Sequence, residues 1–153
     1  MNKNNIELLS DKQKVLLGLD IVSRVFHIYT ELYPNEERVP RFLALVREKA
    51  DIVAYPLSYF DKEFREVQKD FYRAYDEAFR DLQKHYPHSS AAIAVMNALI
   101  EAAQADVLRT SSKAIQAVKI ISSIEPCKIE EQAHSELLAS YIVNPRTSPL
   151  PPQ

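Results

Sequence analysis

The stretch SDKQKVLLGLDIVSRVFHIYTEL, from Ser10 to Leu32, decides the fold. It opens with Ser10 and Gln13, a Ser-x-x-Gln capping box in which each side chain satisfies a free backbone N–H at a helix start. Val15, Leu19, Val22, Phe26 and Tyr29 then recur every third or fourth position, which places them on one helical face. Leu16, Ile21, Val25, Ile28 and Leu32 widen that face, so the pattern predicts a central helix to about Leu32. Phe26 reads as an anchor whose truncation is expected to cost about 3–5 kcal/mol.

The same period continues outward, punctuated by proline. Tyr33-Pro34, Tyr55-Pro56 and Tyr86-Pro87 each follow a helix-period segment. Proline lacks an N–H and pushes the residue before it out of the α region, so each pair marks a helix stop. A second helix is predicted from Pro40, reading Phe42, Leu43, Leu45, Val46, Ala50 and Val53, and ending by Tyr55. A third is predicted from Ser58 or Tyr59 to about His85, with Phe60, Phe64, Val67, Phe71, Ala74, Ala78 and Leu82 on one face and charge elsewhere. Ser89 or Ser90 would cap an alanine-rich segment that reaches Pro126. It reads equally as one bent helix or as two with a break at Thr110-Ser111-Ser112, whose hydroxyls compete for backbone groups. Pro126 would open a last helix with Ile129, Ala133, Leu137 and Tyr141 on one face. Residues 144–153 are rich in proline and are expected to form an extended or disordered tail. No run alternates with period two for long enough to read as a strand. The expected architecture is all-α, an antiparallel bundle of about five helices in one domain spanning residues 1–143.

Composition narrows the function. The chain has 153 residues with 19 Lys+Arg against 21 Asp+Glu, so there is no basic excess to carry nucleic-acid binding. It has one glycine, Gly18, whereas phosphate-cradling and dinucleotide-binding loops need several at fixed offsets. It has one cysteine, Cys127, which excludes an internal disulfide and a thiolate zinc site and fits a reducing compartment. No apolar run approaches the ~20 residues of a membrane span. Asp20 interrupts the one apolar run near the start, which argues against a signal peptide. The expectation is a soluble cytoplasmic chain.

Few residues form chemical constellations. Glu131-x-x-His134 has the spacing of a di-iron helix, but such a site needs a second copy, and the nearest analogue, Glu101 to Gln104, lacks the imidazole. No metal or other cofactor is therefore implied. His85 and His88 flank a turn, where His85 suits the negative end of a helix dipole. Cys127 at a helix start reads as a small apolar residue. No Ser or Cys is placed by a motif beside His27, so no catalytic residue is assigned.

Glu36-Glu37-Arg38 and Arg41 put mixed charge on the first connection, either as a solvated loop or as a recognition edge. Pro34-Asn35-Glu36-Glu37-Arg38, then Pro40-Arg41 after the intervening Val39, resembles the Pro-x-Asp-Asp-Arg-Pro-Arg signature of small helical immunity proteins from bacterial polymorphic-toxin systems. The resemblance implies a non-enzymatic protein that binds and neutralises a toxin, with Glu36, Glu37, Arg38 and Arg41 as the matching positions. A protein-binding module is accordingly the first reading. The alternative is a small-molecule-binding or enzymatic bundle with an interior polar pocket among His27, Tyr29, Tyr72 and Glu101. A homodimer through the alanine-rich helix stays open as a third.

Overall fold

The structure, a computed structural model, describes residues 1–54 and 60–143. Ser58, Tyr59, the Tyr55-Pro56 stop and the proline-rich tail lie outside the described residues. Among the described residues all regular structure is helical, but there are eight helices rather than about five. They are α1 (Lys3–Glu7), α2 (Asp11–Leu32), α3 (Arg38–Glu48), α4 (Ala50–Val53), α5 (Lys62–Arg80), α6 (His88–Ala103), α7 (Val107–Ile121) and α8 (Ile124–Val143). Among the described residues no helix is long and apolar enough to cross a membrane.

The first helix forms as read. Ser10 Oγ accepts the Gln13 N–H at 3.2 Å, and Gln13 Oε1 accepts the Ser10 N–H at 2.9 Å. From Val15 to Val22 every residue of α2 is buried, and so is every residue of α6 from Ala91 to Met96. Helices buried on all sides form the centre of a fold. α2 and α6 pack on each other, α3 and α5 cover one flank, and α7 and α8 cover the other. The two central helices come close at Gly18. A Cβ built there would lie 2.9 Å from the Ala102 Cβ and 3.1 Å from its Cα. The largest anchors are Tyr29, Tyr141, Phe42 and Phe71, with Phe42 stacked on Phe71 at 4.5 Å between ring centroids. Phe26 is only half-buried against Tyr29, so it is not the anchor that its spacing suggested.

Six boundaries differ from the sequence reading. The second segment splits at Lys49, whose ammonium bonds Asp61 at 2.7 Å. Asp61 in turn caps α5 by accepting the Phe64 N–H. α5 therefore starts at Lys62, and Phe60 falls before the helix and is 85% exposed. α5 ends at Arg80, so His85 is not at its terminus. α6 begins at His88 without a side-chain cap, because the Ser89 hydroxyl donates to the Leu82 carbonyl instead. The alanine-rich segment breaks at Gln104–Asp106 and not at Thr110–Ser112. There Ala105 takes φ 60°, its N–H bonds the Ala102 carbonyl, and the Asp106 N–H bonds the Glu101 carbonyl. This is a Schellman ending with alanine in the left-handed position that glycine normally fills. Asp106 then caps α7 by accepting the Arg109 N–H at 3.0 Å. Finally, α8 begins at Ile124 and turns Cys127, His134, Leu138 and Tyr141 inward, which leaves Ile129 62% exposed.

The left-handed conformation costs an L-residue roughly 1–2 kcal/mol. Ala105→Gly is therefore expected to stabilise the fold, by about 0.5–1 kcal/mol after the added chain entropy of glycine is deducted. Urea unfolding followed by circular dichroism checks the sign.

Candidate functional site

Two polar clusters stand out, one on each flank of the central pair. The first is the loop between α2 and α3. Glu36 accepts the Arg38 backbone N–H at 2.9 Å and the guanidinium Nε at 2.8 Å. The same guanidinium bonds Glu77 of α5, so Arg38 ties the loop to the flanking helix. The hydrogen bonds from Arg38 outweigh partial burial and hold the Glu36 carboxyl below its usual range. Tyr29 lies buried beside this cluster, and burial, followed by the Glu36 charge, pushes its phenol up. Of the four positions singled out in the sequence, Glu36 and Arg38 are thus occupied within the protein. Glu37 and Arg41 are exposed.

The pocket expected among His27, Tyr29, Tyr72 and Glu101 is not assembled. His27 is exposed and Tyr29 is buried. Two positions apart on a helix is roughly 200° of rotation, so the two side chains cannot share a face. Tyr72 stands beside Glu101 on the α5–α6 side, away from His27. His85 and His88 are exposed, and Cys127 is buried as a small apolar residue. Glu131 is exposed while His134 is fully buried, so the Glu-x-x-His pair does not converge.

The second cluster was not read from the sequence. It joins α2, α7 and α8 through Arg24, Glu130, His134 and Ser111. Arg24 donates Nε to Glu130 Oε2 at 3.2 Å and Nη2 to Oε1 at 3.0 Å, a bidentate pair. Glu130 Oε2 lies 2.9 Å from His134 Nε2, and His134 Nδ1 lies 2.7 Å from Ser111 Oγ. A carboxylate can only accept, so Nε2 carries a proton, and in the neutral ring Nδ1 accepts from the Ser111 hydroxyl. Burial pushes the Glu130 carboxyl up, but His134 and Arg24 together outweigh it and hold the pKa at about 2. Two turns beyond His134 on α8, Tyr141 donates to Asp20 Oδ2 at 2.7 Å, also buried. A readable signal existed: Glu130 and His134 are four apart on one helix face, and His134 sits on the Cys127–Leu138–Tyr141 stripe. Arg24 comes from a remote segment, 106 positions away in the chain.

Ser111 marks the end of this relay at the floor of a surface groove of about 540 Å³ between α7 and α8. Leu108, Ser111, Ser112 and Ile115 line one wall, and Lys128, Glu131, Gln132 and Ser135 line the other. Each wall repeats the spacing i, i+3, i+4, i+7, the signature of one helix face. Met1 closes one side. The order Ser–His–Glu resembles a nucleophilic relay, but Ser111 lies inside α7. There backbone N–H groups bond carbonyls one turn back. Acyl transfer needs N–H donors aimed at a developing oxyanion, and helical backbone offers none there. What the arrangement does chemically is fix three helices against each other and present a hydroxyl to the groove.

No family model matches the sequence, and no curated protein or solved structure matches the chain.

The relay makes an acid-stability prediction. The Glu130 pKa is lower folded than unfolded, so its contribution is complete above its ordinary carboxyl value and is lost as pH falls towards about 2. Glu130→Gln is expected to destabilise by about 1–3 kcal/mol at pH 7, because the part-buried Arg24 loses its counter-charge. The gap to wild type should shrink steadily between pH 4.5 and 2 in urea titrations.

Proposed function

We propose that this chain is a non-catalytic protein-binding module that takes a helical segment of its partner between α7 and α8. The observation that carries the reading is the groove itself, with two helix faces at regular spacing around a floor held in place by the Arg24–Glu130–His134–Ser111 relay. Amphipathic helices dock in such grooves through apolar anchors at i, i+3, i+4 and i+7. Leu108, Ile115 and Met1 offer apolar contact, and Lys128 and Glu131 add one charge of each sign to the lining. The mixed surface and the small net charge fit a protein partner better than a nucleic acid. Neutralisation of a toxin, as the loop resemblance implies, is the specific form of this reading. Glu37 and Arg41 are the loop positions left exposed to meet such a partner.

Photo-crosslinking in the native cell tests the groove directly. A benzoylphenylalanine at Ser112 or Gln132 is expected to trap the same protein from both positions, and one at Lys69 on α5 is expected to trap none. All three residues are exposed. Adducts from Lys69 alone, or from no position, would contradict the proposal.

A further inference from the structure

The relay holds α8 in place, and it also sets which way a hydrogen bond can run at the floor of the α7–α8 groove. Arg24 donates to both oxygens of Glu130, whose pKa of about 2 makes it a carboxylate at neutral pH. A carboxylate only accepts, so His134 Nε2 holds the proton that it donates to Glu130 across 2.9 Å. A neutral imidazole has a single N–H, which leaves Nδ1 as an acceptor. The 2.7 Å contact between Nδ1 and Ser111 Oγ is therefore made with the Ser111 proton. A hydroxyl has only that one proton, so toward the groove Ser111 offers lone pairs alone. The occupant of the groove must bring the donor.

The charges of the lining say what kind of donor. Lys128 and Glu131 are its two charged side chains. Lys128 has a counter-charge in Glu125, 3.9 Å away. Glu131 is exposed and forms no ion pair among the described residues. The unmatched side-chain charge of the lining is thus negative, and it stands in the same groove as an acceptor that cannot donate. Leu108 and Ile115 supply apolar surface on the α7 wall, which suits the methylene stem of a long basic side chain.

We infer that the helical segment docked between α7 and α8 inserts a lysine or arginine side chain into the groove, its head donating to Ser111 Oγ and pairing with Glu131. The inference rests on the protein-binding reading and names the chemistry of the partner. A segment that brought a carboxylate to the same place would meet the charge of Glu131 and find no donor on Ser111. The relay therefore rejects acidic segments as well as accepting basic ones, and discrimination needs both elements.

The partner segment trapped from Ser112 and Gln132 is located by mass spectrometry. It is then synthesised as a fluorescein-labelled peptide, with copies in which each lysine or arginine in turn is replaced by norleucine. Fluorescence anisotropy with the full chain measures their affinities. One replacement is expected to weaken binding roughly tenfold or more, as loss of a hydrogen bond from a charged group does. Glu131→Gln is expected to weaken the native peptide about threefold or more and to leave that norleucine peptide unchanged. Glu131 is exposed, so this variant keeps the fold. No adduct from the wild-type positions would overturn the protein-binding reading and this inference with it. A trapped segment without a basic residue, norleucine copies that all bind as tightly as the native peptide, or a Glu131→Gln effect equal on every peptide would overturn the inference alone.

Discussion

Gly18 lets α2 and α6 approach more closely than any other residue would allow. With Ala102 opposite, the two backbones meet with little side chain between them, and Thr110 of α7 lies within van der Waals reach of the same point. A glycine inside a helix costs roughly 1 kcal/mol relative to alanine. Its presence here makes sense only if the close crossing returns more than that. The return is visible in burial, since two consecutive turns of α2 and the run of α6 from Ala91 to Met96 are sealed from water on every side. The alanine content of α6 serves the same end, because small side chains let α2 and α7 pack near its axis.

The flanks follow from this centre. α5 is strongly amphipathic and needs only one apolar seam, formed by Phe64, Val67, Phe71, Ala74 and Ala78. α8 is different. Of the stripe through Ile129, Ala133 and Leu137, Ile129 is exposed and Leu137 packs only partly against the core. The helix is turned instead by a polar arrangement in which His134 meets Ser111 and Glu130 meets Arg24. Buried ion pairs add little net stability over well-packed apolar groups. They do fix orientation, because rotating α8 would strand the part-buried Arg24 and Glu130 and the fully buried His134. The groove inherits its shape from that fixed orientation, which is why the relay and the proposed binding surface belong together.

This division explains what could be read in the residues beforehand. α2 was legible because its cap, apolar face and Tyr33-Pro34 stop are all local. The turn at Ala105 was hidden because an alanine holds a backbone conformation usually marked by glycine. The hydroxyl run Thr110-Ser111-Ser112, read as one possible place for a break, performs other work: Thr110 bonds the Asp106 carbonyl and Ser111 bonds His134. The roles of Glu36 and Arg38 were half legible. Their charges were evident, but their orientation depends on Glu77, 39 positions from Arg38 in the chain. His134 was seen with the wrong partner, since Glu131 lies on the exposed side of the inward stripe and Glu130 on the side that meets Arg24 of α2.

The crossing at Gly18 is open to a direct energetic test. A double-mutant cycle with Gly18→Ala and Ala102→Gly, measured by urea unfolding, compares the two side chains alone and together. Gly18→Ala alone is expected to destabilise by about 1–3 kcal/mol, as overpacking does. The second change should recover part of that loss, giving a coupling of roughly 1 kcal/mol or more. If Gly18→Ala instead stabilises the chain by about 1 kcal/mol, as at an unconstrained helical position, or if the two effects simply add, the close approach of α2 and α6 is not what holds this fold together.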